Sequence, residues 1–216
     1  MLPQLTVIFD CDGVLVDSER LSHEVLRKML AEYGRDISLQ DTFEHFMGTS
    51  TEKCLSVLSE LTGKAPPPGF LSDFRDRTFE AFKDSLAPIP GIIEVLRSST
   101  HPYCVASNGP REKMRFTLGH TGLLPHFEGR LFSAEDVARP KPAPDLFLHA
   151  AQAMDAEPSS CVVVEDSPTG VAAAKAAGMY VLGYAAMGQE AKLLAAGADQ
   201  LLWRMSDLHQ AIPAAR

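Results

Sequence analysis

A short apolar run that stops at two carboxylates is the feature that most constrains how this chain can fold. Val7-Ile8-Phe9 is followed at once by Asp10, Cys11 and Asp12. Short, continuous apolar runs are typical of strands buried in a parallel sheet, and ligands bind beyond the carboxyl ends of such strands. Residues i and i+2 of an extended chain face the same way. Both aspartates are therefore expected to approach one ligand, with a cation or a shared proton to offset their charges.

The remainder of the chain alternates between apolar runs and segments with helical spacing. The further apolar runs lie at residues 103–106, 130–132, 161–164, 180–184 and 200–203. Strands that alternate with helices in this way form parallel βαβ units. The sequence therefore predicts an α/β fold with a doubly wound, Rossmann-like parallel sheet.

A block with helical patterns and no strand pattern separates the first two apolar runs. Gly48, Gly63 and Pro66-Pro67-Pro68 interrupt these patterns. We expect a core domain of residues 1–16 and 87–216, and a small α-helical cap domain of residues 17–86. This cap domain is inserted after the first strand and is expected to lie over the site. Its core is expected to contain Phe70, Phe74, Phe79 and Phe82.

Composition and charge argue against several classes of protein. A hydrophobic fraction of 45% is ordinary for a globular chain, and the net charge of -8 argues against nucleic-acid binding, which needs clustered Lys and Arg. The sequence contains no apolar stretch of about 18 residues and no signal segment, so no membrane partner is expected and the expected location is the cytoplasm. The sequence does not reveal the oligomeric state, and a monomer is favoured.

Polar side chains suited to phosphoryl chemistry follow other predicted strands. Ser107 and Asn108 come after the second strand, and Glu165 and Asp166 come after the fourth. Lys141 adds a positive charge on a proline-rich loop and can hold a phosphate oxygen. Because strand ends converge in this architecture, we expect these residues to share one site with the two aspartates.

Each of these motifs has a simpler interpretation when it is taken alone. The aspartate pair suits a solvated turn or part of a calcium loop, and Ser107-Asn108-Gly109 suits a turn. Lys141 suits a solvated surface, and Glu165-Asp166 suits the start of a helix. Only their joint order favours a functional site.

In that order, the motifs resemble those of the haloacid dehalogenase-like hydrolase superfamily. The matching residues are Asp10-Cys11-Asp12-Gly13-Val14, Ser107-Asn108-Gly109, Lys141-Pro142, and Glu165-Asp166-Ser167 with Gly170. The helical block resembles the small α-helical cap of the subfamily that contains phosphoglycolate phosphatase and β-phosphoglucomutase. The run Ser107-Asn108-Gly109-Pro110 with Lys113-Met114 is most similar to sugar phosphatases of the 6-phosphogluconate phosphatase type.

The resemblance implies a Mg²⁺-dependent phosphatase that acts on a small phosphorylated sugar or sugar acid. Asp10 is then the nucleophile that forms an aspartyl-phosphate, and Asp12 is the acid for the leaving group and the base for the attacking water. The implied metal ligands are the Asp10 carboxylate, the backbone carbonyl of Asp12 and the Asp166 carboxylate. Glu165 matches an acidic position near the metal that acts through water.

The resemblance also implies how phosphate and substrate are held. Ser107 and Lys141 bind the phosphoryl oxygens, with help from the backbone N–H groups of Asn108 and Gly109. The expected substrate-specificity segment of the cap domain contains Met47, Gly48, Thr49, Ser50 and Lys53.

Two other functions remain open at this point. The first is a phosphomutase of the β-phosphoglucomutase type, which returns the phosphoryl group to the substrate. Mutase relatives place a lysine before the cap-loop glycine, where this chain has Met47, so the phosphatase is favoured. The second is a non-catalytic regulatory module that binds phosphate, and the complete set of motif residues argues against it. In each case the partner is a small phosphorylated metabolite.

Overall fold

The computed structural model describes residues 5–47 and 51–213, and the chain divides into two compact units. The core unit contains Met1–Asp17 and Ala87–Arg216, and the helical unit contains Ser18–Leu86. The helical unit thus begins one residue later than the cap domain predicted from the sequence. Within the described ranges, none of the helices combines the length and the apolar character needed to cross a lipid bilayer.

The core unit contains a parallel sheet with the strand order β3-β2-β1-β4-β5-β6. The strands are β1 Thr6–Phe9, β2 Tyr103–Ser107, β3 Leu131–Ser133, β4 Cys161–Glu165, β5 Tyr180–Tyr184 and β6 Gln200–Leu202. This order confirms the predicted doubly wound, Rossmann-like α/β fold. The chain runs outward from β1 in one direction and from β4 in the other, so the switch point lies between these two strands.

Helices connect the strands and form the second unit. The helical unit contains α1 Ser18–Glu32, α2 Leu39–Phe46, α3 Thr51–Thr62 and α4 Phe70–Ser85. The core unit contains α5 Ile92–Ser98, α6 Arg111–His120, α7 Asp145–Ala153, α8 Pro168–Ala176, α9 Glu190–Ala195 and α10 Leu208–Ala211.

Side chains from successive strand residues pack on opposite faces of the sheet. Ile8 belongs to a buried cluster with Phe147 of α7 and Val171 of α8. Its neighbour Phe9 makes edge-to-face ring contacts with Tyr103 and Phe127, each with centroids 6.4 Å apart. Burying a large apolar side chain contributes about 1.5–3 kcal/mol. Packing on both faces therefore fixes β1 and the residues that follow it.

A tight turn follows β1. Gly13 has a φ of 77°, a left-handed conformation that glycine adopts without a steric penalty. The next residues, Val14, Leu15 and Val16, are fully buried. The Ile89 N–H donates to the Leu15 carbonyl at 2.9 Å and so joins this turn to the chain that re-enters the core unit.

The helical unit has an apolar core of its own, built around Met29, Leu30 and Leu58. Phe70 and Phe82 are buried, but Phe79 is 43% exposed. The prediction that all four phenylalanines of α4 belong to the core was therefore wrong for Phe79. At 3.6 residues per turn, Phe79 lies about half a turn from Phe70 around the helix axis. Its ring instead contacts the ammonium of Lys83, 4.8 Å from the centroid.

The buried His23 of α1 should make the stability of this unit depend on pH. Its ring lies 4.5 Å from the Phe43 ring, and its Nδ1 has no hydrogen-bond partner among the described residues. Burial lowers the pKa of His23 to about 4. Between about pH 6.5 and pH 4, His23 binds a proton in the unfolded chain but not in the folded chain. As the pH is lowered through this range, the free energy of unfolding therefore falls by up to about 3 kcal/mol.

Chemical denaturation near neutral pH and near pH 4 should show a larger loss of stability in the wild type than in His23→Phe, because the variant has no imidazole to protonate. His45→Phe is the matched control, since His45 is exposed in α2. Equal losses in the wild type and His23→Phe would show that His23 is not responsible.

Candidate active site

The ends of β1 and β4 bring three acidic residues to the switch point of the sheet. Asp10 follows β1 directly, and its N–H donates to the Val164 carbonyl of β4 at 3.0 Å. Glu165 is the last residue of β4, and Asp166 follows it. All three acidic residues are buried. The apolar strands thus hold three carboxylates in an environment that needs compensating charge.

Lys141 supplies such a charge from the loop that precedes α7. Its Nζ donates to Asp10 Oδ1 and to Glu165 Oε1, both at 2.6 Å. The side chain is only 3% exposed, and the ammonium also lies 4.6 Å from the centroid of the Phe147 ring. The sequence predicted Lys141 as a site residue, although taken alone it suited a solvated surface. In the structure it is a buried cation that joins two strand ends.

Burial and charge act against each other in this cluster. Burial, assisted by the Glu165 and Asp12 charges, raises the pKa of Asp10 to about 7, although the Lys141 ammonium lowers it. Burial alone would lower the pKa of Lys141, but the Asp10 and Glu165 carboxylates outweigh burial and raise that pKa above its usual value. Lys141 therefore stays charged, and the protonation of Asp10 depends strongly on its immediate neighbours.

Glu165 uses both of its carboxylate oxygens within the protein. Oε1 accepts from Lys141, and Oε2 accepts from the Ser167 N–H at 3.0 Å and the Ser167 hydroxyl at 2.9 Å. The Ser167 hydroxyl in turn accepts from the Gly170 N–H at 3.0 Å and caps α8. The start of α8 thus fixes the carboxylate that holds Lys141.

Gly170 is the glycine that leaves room for Glu165. A methyl group built on its Cα would overlap the carboxylate carbon and both oxygens of Glu165. The resemblance included Gly170 in the fourth motif, but the sequence gave no reason for a glycine at that position. The structure gives one: the first turn of α8 passes too close to Glu165 for any other side chain.

The segment after β2 also reaches this edge of the sheet. Ser107 is buried, and its Oγ accepts from the Gly109 N–H at 3.2 Å. The Asn108 side chain binds the backbone of Lys141 twice, since its Oδ1 accepts from the Lys141 N–H at 3.0 Å and its Nδ2 donates to the Lys141 carbonyl at 3.1 Å. Asn108 therefore positions the lysine loop, and the Gly109 N–H is already hydrogen-bonded. Direct phosphate binding by these backbone groups stays a prediction.

Asp12 lies beside a lysine to which the sequence reasoning gave no role. Lys113 Nζ donates to Asp12 Oδ2 at 2.7 Å. A methyl group on Gly109 would lie within 4 Å of Ser107 Oγ, Asp12 Oδ2 and Lys113 Cδ. Lys113 is in the first turn of α6, which begins just after the Ser107–Gly109 segment. That position was the available signal, because a helix that follows a strand end directs its first turn toward the same edge.

Cys11, between the two aspartates, is turned away from them toward α6. Its Sγ lies 3.9 Å from the Thr117 hydroxyl. Burial, together with the Asp12 and Asp10 charges, raises the pKa of the Cys11 thiol well above its usual value. A thiol in this state is a poor nucleophile, so Cys11 is not a candidate nucleophile.

The predicted specificity residues belong to the helical unit. Met47 is half-buried at the end of α2, and Lys53 is exposed in α3. Gly48, Thr49 and Ser50 lie outside the described residues. A role in substrate recognition stays a prediction for all five.

The donor atoms at the switch point suit a divalent metal. Asp10 and Asp166 offer carboxylate oxygens, which are the ligands that Mg²⁺ prefers. The negative charge of the acidic residues at the switch point also exceeds the positive charge of Lys141. Within the described ranges, no three His, Cys, Asp or Glu side chains are grouped so as to hold a metal ion. A metal held by the Asp10 and Asp166 carboxylates and the Asp12 carbonyl stays a prediction. Glu165 is better placed to hold Lys141, and a water-mediated role for it at a metal stays a prediction.

Comparison with known proteins agrees with the resemblance found in the motifs. The model of the haloacid dehalogenase-like hydrolase family matches residues 5–178. The chain is 34% identical over 181 residues to 6-phosphogluconate phosphatase of Escherichia coli (strain K12), covering 83% of this chain and 82% of that protein. It is also 34% identical over 179 residues to fructose-1-phosphate phosphatase YqaB of the same strain, covering 80% and 92%.

A solved structure supports the same fold. A haloacid dehalogenase (HAD) family hydrolase from Deinococcus radiodurans R1, crystallised with bound phosphate and sodium, matches with a TM-score of 0.87 and 33% identity. The match covers 98% of this chain and 96% of that one.

We expect Gly170→Ala to lower the free energy of unfolding, because the added methyl displaces the Glu165 carboxylate. Overpacking of this kind costs about 1–3 kcal/mol. Gly119→Ala in α6 is the control: among the described residues outside its own helix, its methyl would approach only Leu124, at 3.8 Å. That change should be neutral or stabilising by about 0.5–1 kcal/mol. Urea denaturation measures both.

The same change in a Glu165→Ala background tests whether the Glu165 carboxylate causes the loss of stability. Gly170→Ala should cost much less there, because the group it displaces is gone. An undiminished cost in that background would mean that another contact excludes the methyl group.

Proposed function

Because the chain belongs to the haloacid dehalogenase-like hydrolase family, we propose that it is a Mg²⁺-dependent phosphatase of small phosphorylated sugars or sugar acids. The reaction proceeds through an aspartyl-phosphate at Asp10. One observation carries this proposal: the Asp10 carboxylate is buried at the switch point, where Lys141 holds it at 2.6 Å and Glu165 fixes Lys141. Nucleophilic carboxylates need this combination of fixed orientation and nearby positive charge.

Asp10 is the residue best placed to attack phosphorus. Its Oδ1 is held by Lys141, so the carboxylate keeps one orientation at the end of β1. The same ammonium favours the ionised form that a nucleophile requires, and it can hold a phosphoryl oxygen. Attack breaks the bond between phosphorus and the sugar oxygen and leaves the phosphoryl group on Asp10.

Asp12 carries the proton in both halves of the reaction. It donates a proton to the sugar oxygen as that oxygen leaves. It then takes a proton from the water that attacks the aspartyl-phosphate, which releases phosphate and restores Asp10. Asp12 returns to its starting state, so protons balance over one turnover.

The neighbouring residues hold the phosphate and the charge. Ser107 lies at the end of β2 and supplies a hydroxyl, while Asn108 keeps the Lys141 loop in place through its two backbone contacts. Mg²⁺ held by Asp10, Asp166 and the Asp12 carbonyl would neutralise negative charge on the phosphate.

The proposed substrate class is inferred from the names of similar proteins. The two similar Escherichia coli proteins are named for 6-phosphogluconate and fructose 1-phosphate, which are a phosphorylated sugar acid and a phosphorylated sugar. We assign the choice among such esters to the helical unit, with the segment from Met47 to Lys53 as the specificity segment.

A phosphate-release screen over phosphorylated sugars and sugar acids tests the proposal. The wild type should release phosphate with Mg²⁺, lose activity with a chelator and regain it when Mg²⁺ is restored. Asp10→Asn should lower kcat by about a thousandfold or more, because the amide is not a nucleophile. Asp199→Asn is the matched control, since Asp199 also pairs with a lysine, Lys175, at 2.8 Å, and neither residue belongs to the proposed site.

Retention of full activity by Asp10→Asn would contradict the assignment of the nucleophile. An isomerised sugar phosphate as the main product would identify a mutase. Failure to release phosphate from any substrate, together with saturable binding of phosphate esters, would favour a binding module.

A further inference from the structure

Lys113 makes a contact that the proposed reaction has not yet used. The residue lies in the first turn of α6, and its ammonium donates to Asp12 Oδ2 at 2.7 Å. The partners are separated by 101 positions in the sequence, so the fold itself brings them together. The Asp12 side chain is 17% exposed and that of Lys113 is 41% exposed. The pair is therefore partly open to solvent, and its acidic member, Asp12, is mostly buried.

This ion pair differs in its surroundings from an ordinary surface pair. Exposed pairs contribute little to stability, and many occupy positions with no chemical role. Here the acidic partner follows Asp10 by two residues. Ser107 Oγ, Asp12 Oδ2 and Lys113 Cδ all lie within 4 Å of the point where a Cβ on Gly109 would stand, at 3.5, 3.7 and 3.8 Å. Lys113 thus packs against the same backbone position as two proposed site residues.

We infer that Lys113 is a positioning residue that orients the Asp12 carboxyl group for proton transfer to and from the substrate. The inference rests on the proposed function. A carboxyl group on a single Cβ can rotate, and a misdirected proton donor loses much of its effect on rate. The hydrogen bond to Oδ2 fixes which side of the carboxyl group faces α6. Lys113 only holds the carboxyl group, and Asp12 exchanges the proton with the leaving oxygen and the water.

The inference predicts that the need for Lys113 depends on the leaving group. A sugar alkoxide must be protonated as it leaves, whereas p-nitrophenolate is stable without a proton. Lys113→Met should therefore lower kcat/KM for a sugar phosphate by about 10- to 100-fold, a part of what general acid catalysis supplies. This parameter reports the steps up to loss of the leaving group, whereas hydrolysis of the aspartyl-phosphate is the same for both substrates. For p-nitrophenyl phosphate the decrease in kcat/KM should be less than about threefold, because this leaving group needs no proton. Lys113→Arg should recover much of the sugar-phosphate activity, because guanidinium also donates to a carboxylate.

Two controls separate positioning from general damage. Lys175→Met removes a lysine from an ion pair of similar length and exposure, with Asp199 at 2.8 Å, and should not change the ratio between the two substrates. In the Asp12→Asn background, Lys113→Met should have little further effect on the sugar phosphate, because both changes act through one group. Thermal unfolding of each variant confirms that it is folded.

The outcomes are distinct. Equal decreases for both substrates, or additive effects in the Asp12→Asn background, would overturn the inference and leave the phosphatase proposal intact. A rise in KM for both substrates with unchanged kcat would also overturn it, since Lys113 would then contact the substrate. Absence of Asp10-dependent turnover in the wild type would overturn both proposals.

Discussion

The buried ammonium of Lys141 is the interaction on which the rest of the site depends. It lies between the Asp10 and Glu165 carboxylates, which two neighbouring strands bring to the same edge of the sheet. Two like charges in a buried environment repel strongly, and removal of one partner from a buried charge cluster typically costs about 3–5 kcal/mol. Several other features serve to hold this ammonium. Asn108 binds the backbone of Lys141, Phe147 lies under its charge, and Gly170 leaves space for the carboxylate that holds it.

The doubly wound sheet explains why residues far apart in the chain meet at this point. Strand order reverses between β1 and β4, and the pairing of Phe9 with Val164 places Asp10 next to the end of β4. On the other side, β2 ends at Ser107, and the following helix brings Lys113 to Asp12. The strands contribute the buried groups and the first turns of α6 and α8 adjust them. Asp10 is therefore held by the buried Lys141, while Asp12 is held by the partly exposed Lys113.

Much of this could be predicted from the sequence, because apolar runs that end in acids carry two signals at once. The run before Asp10 and the run before Glu165 predicted both the buried strands and the residues at their ends, and the joint order of the motifs predicted the family. Other features depended on contacts that no local pattern shows. The position of Lys113 after a strand end indicates which edge of the sheet it faces, but no local pattern identifies Asp12, 101 positions away, as its partner. The requirement for glycine at position 170 depends on a side chain in the preceding strand, and the outward position of Phe79 follows from helix geometry that a simple count of phenylalanines overlooks.

The proposed mechanism requires Asp10 to become covalently phosphorylated during turnover. The most direct measurement is rapid acid quenching of the wild-type protein during turnover of a sugar phosphate with Mg²⁺, followed by mass spectrometry of its proteolytic peptides. We expect one additional phosphoryl group on the peptide that contains Asp10, formed and lost at rates compatible with turnover. Steady release of phosphate with no phosphoryl group on Asp10 at any quench time, or with the group on a different residue, would contradict it.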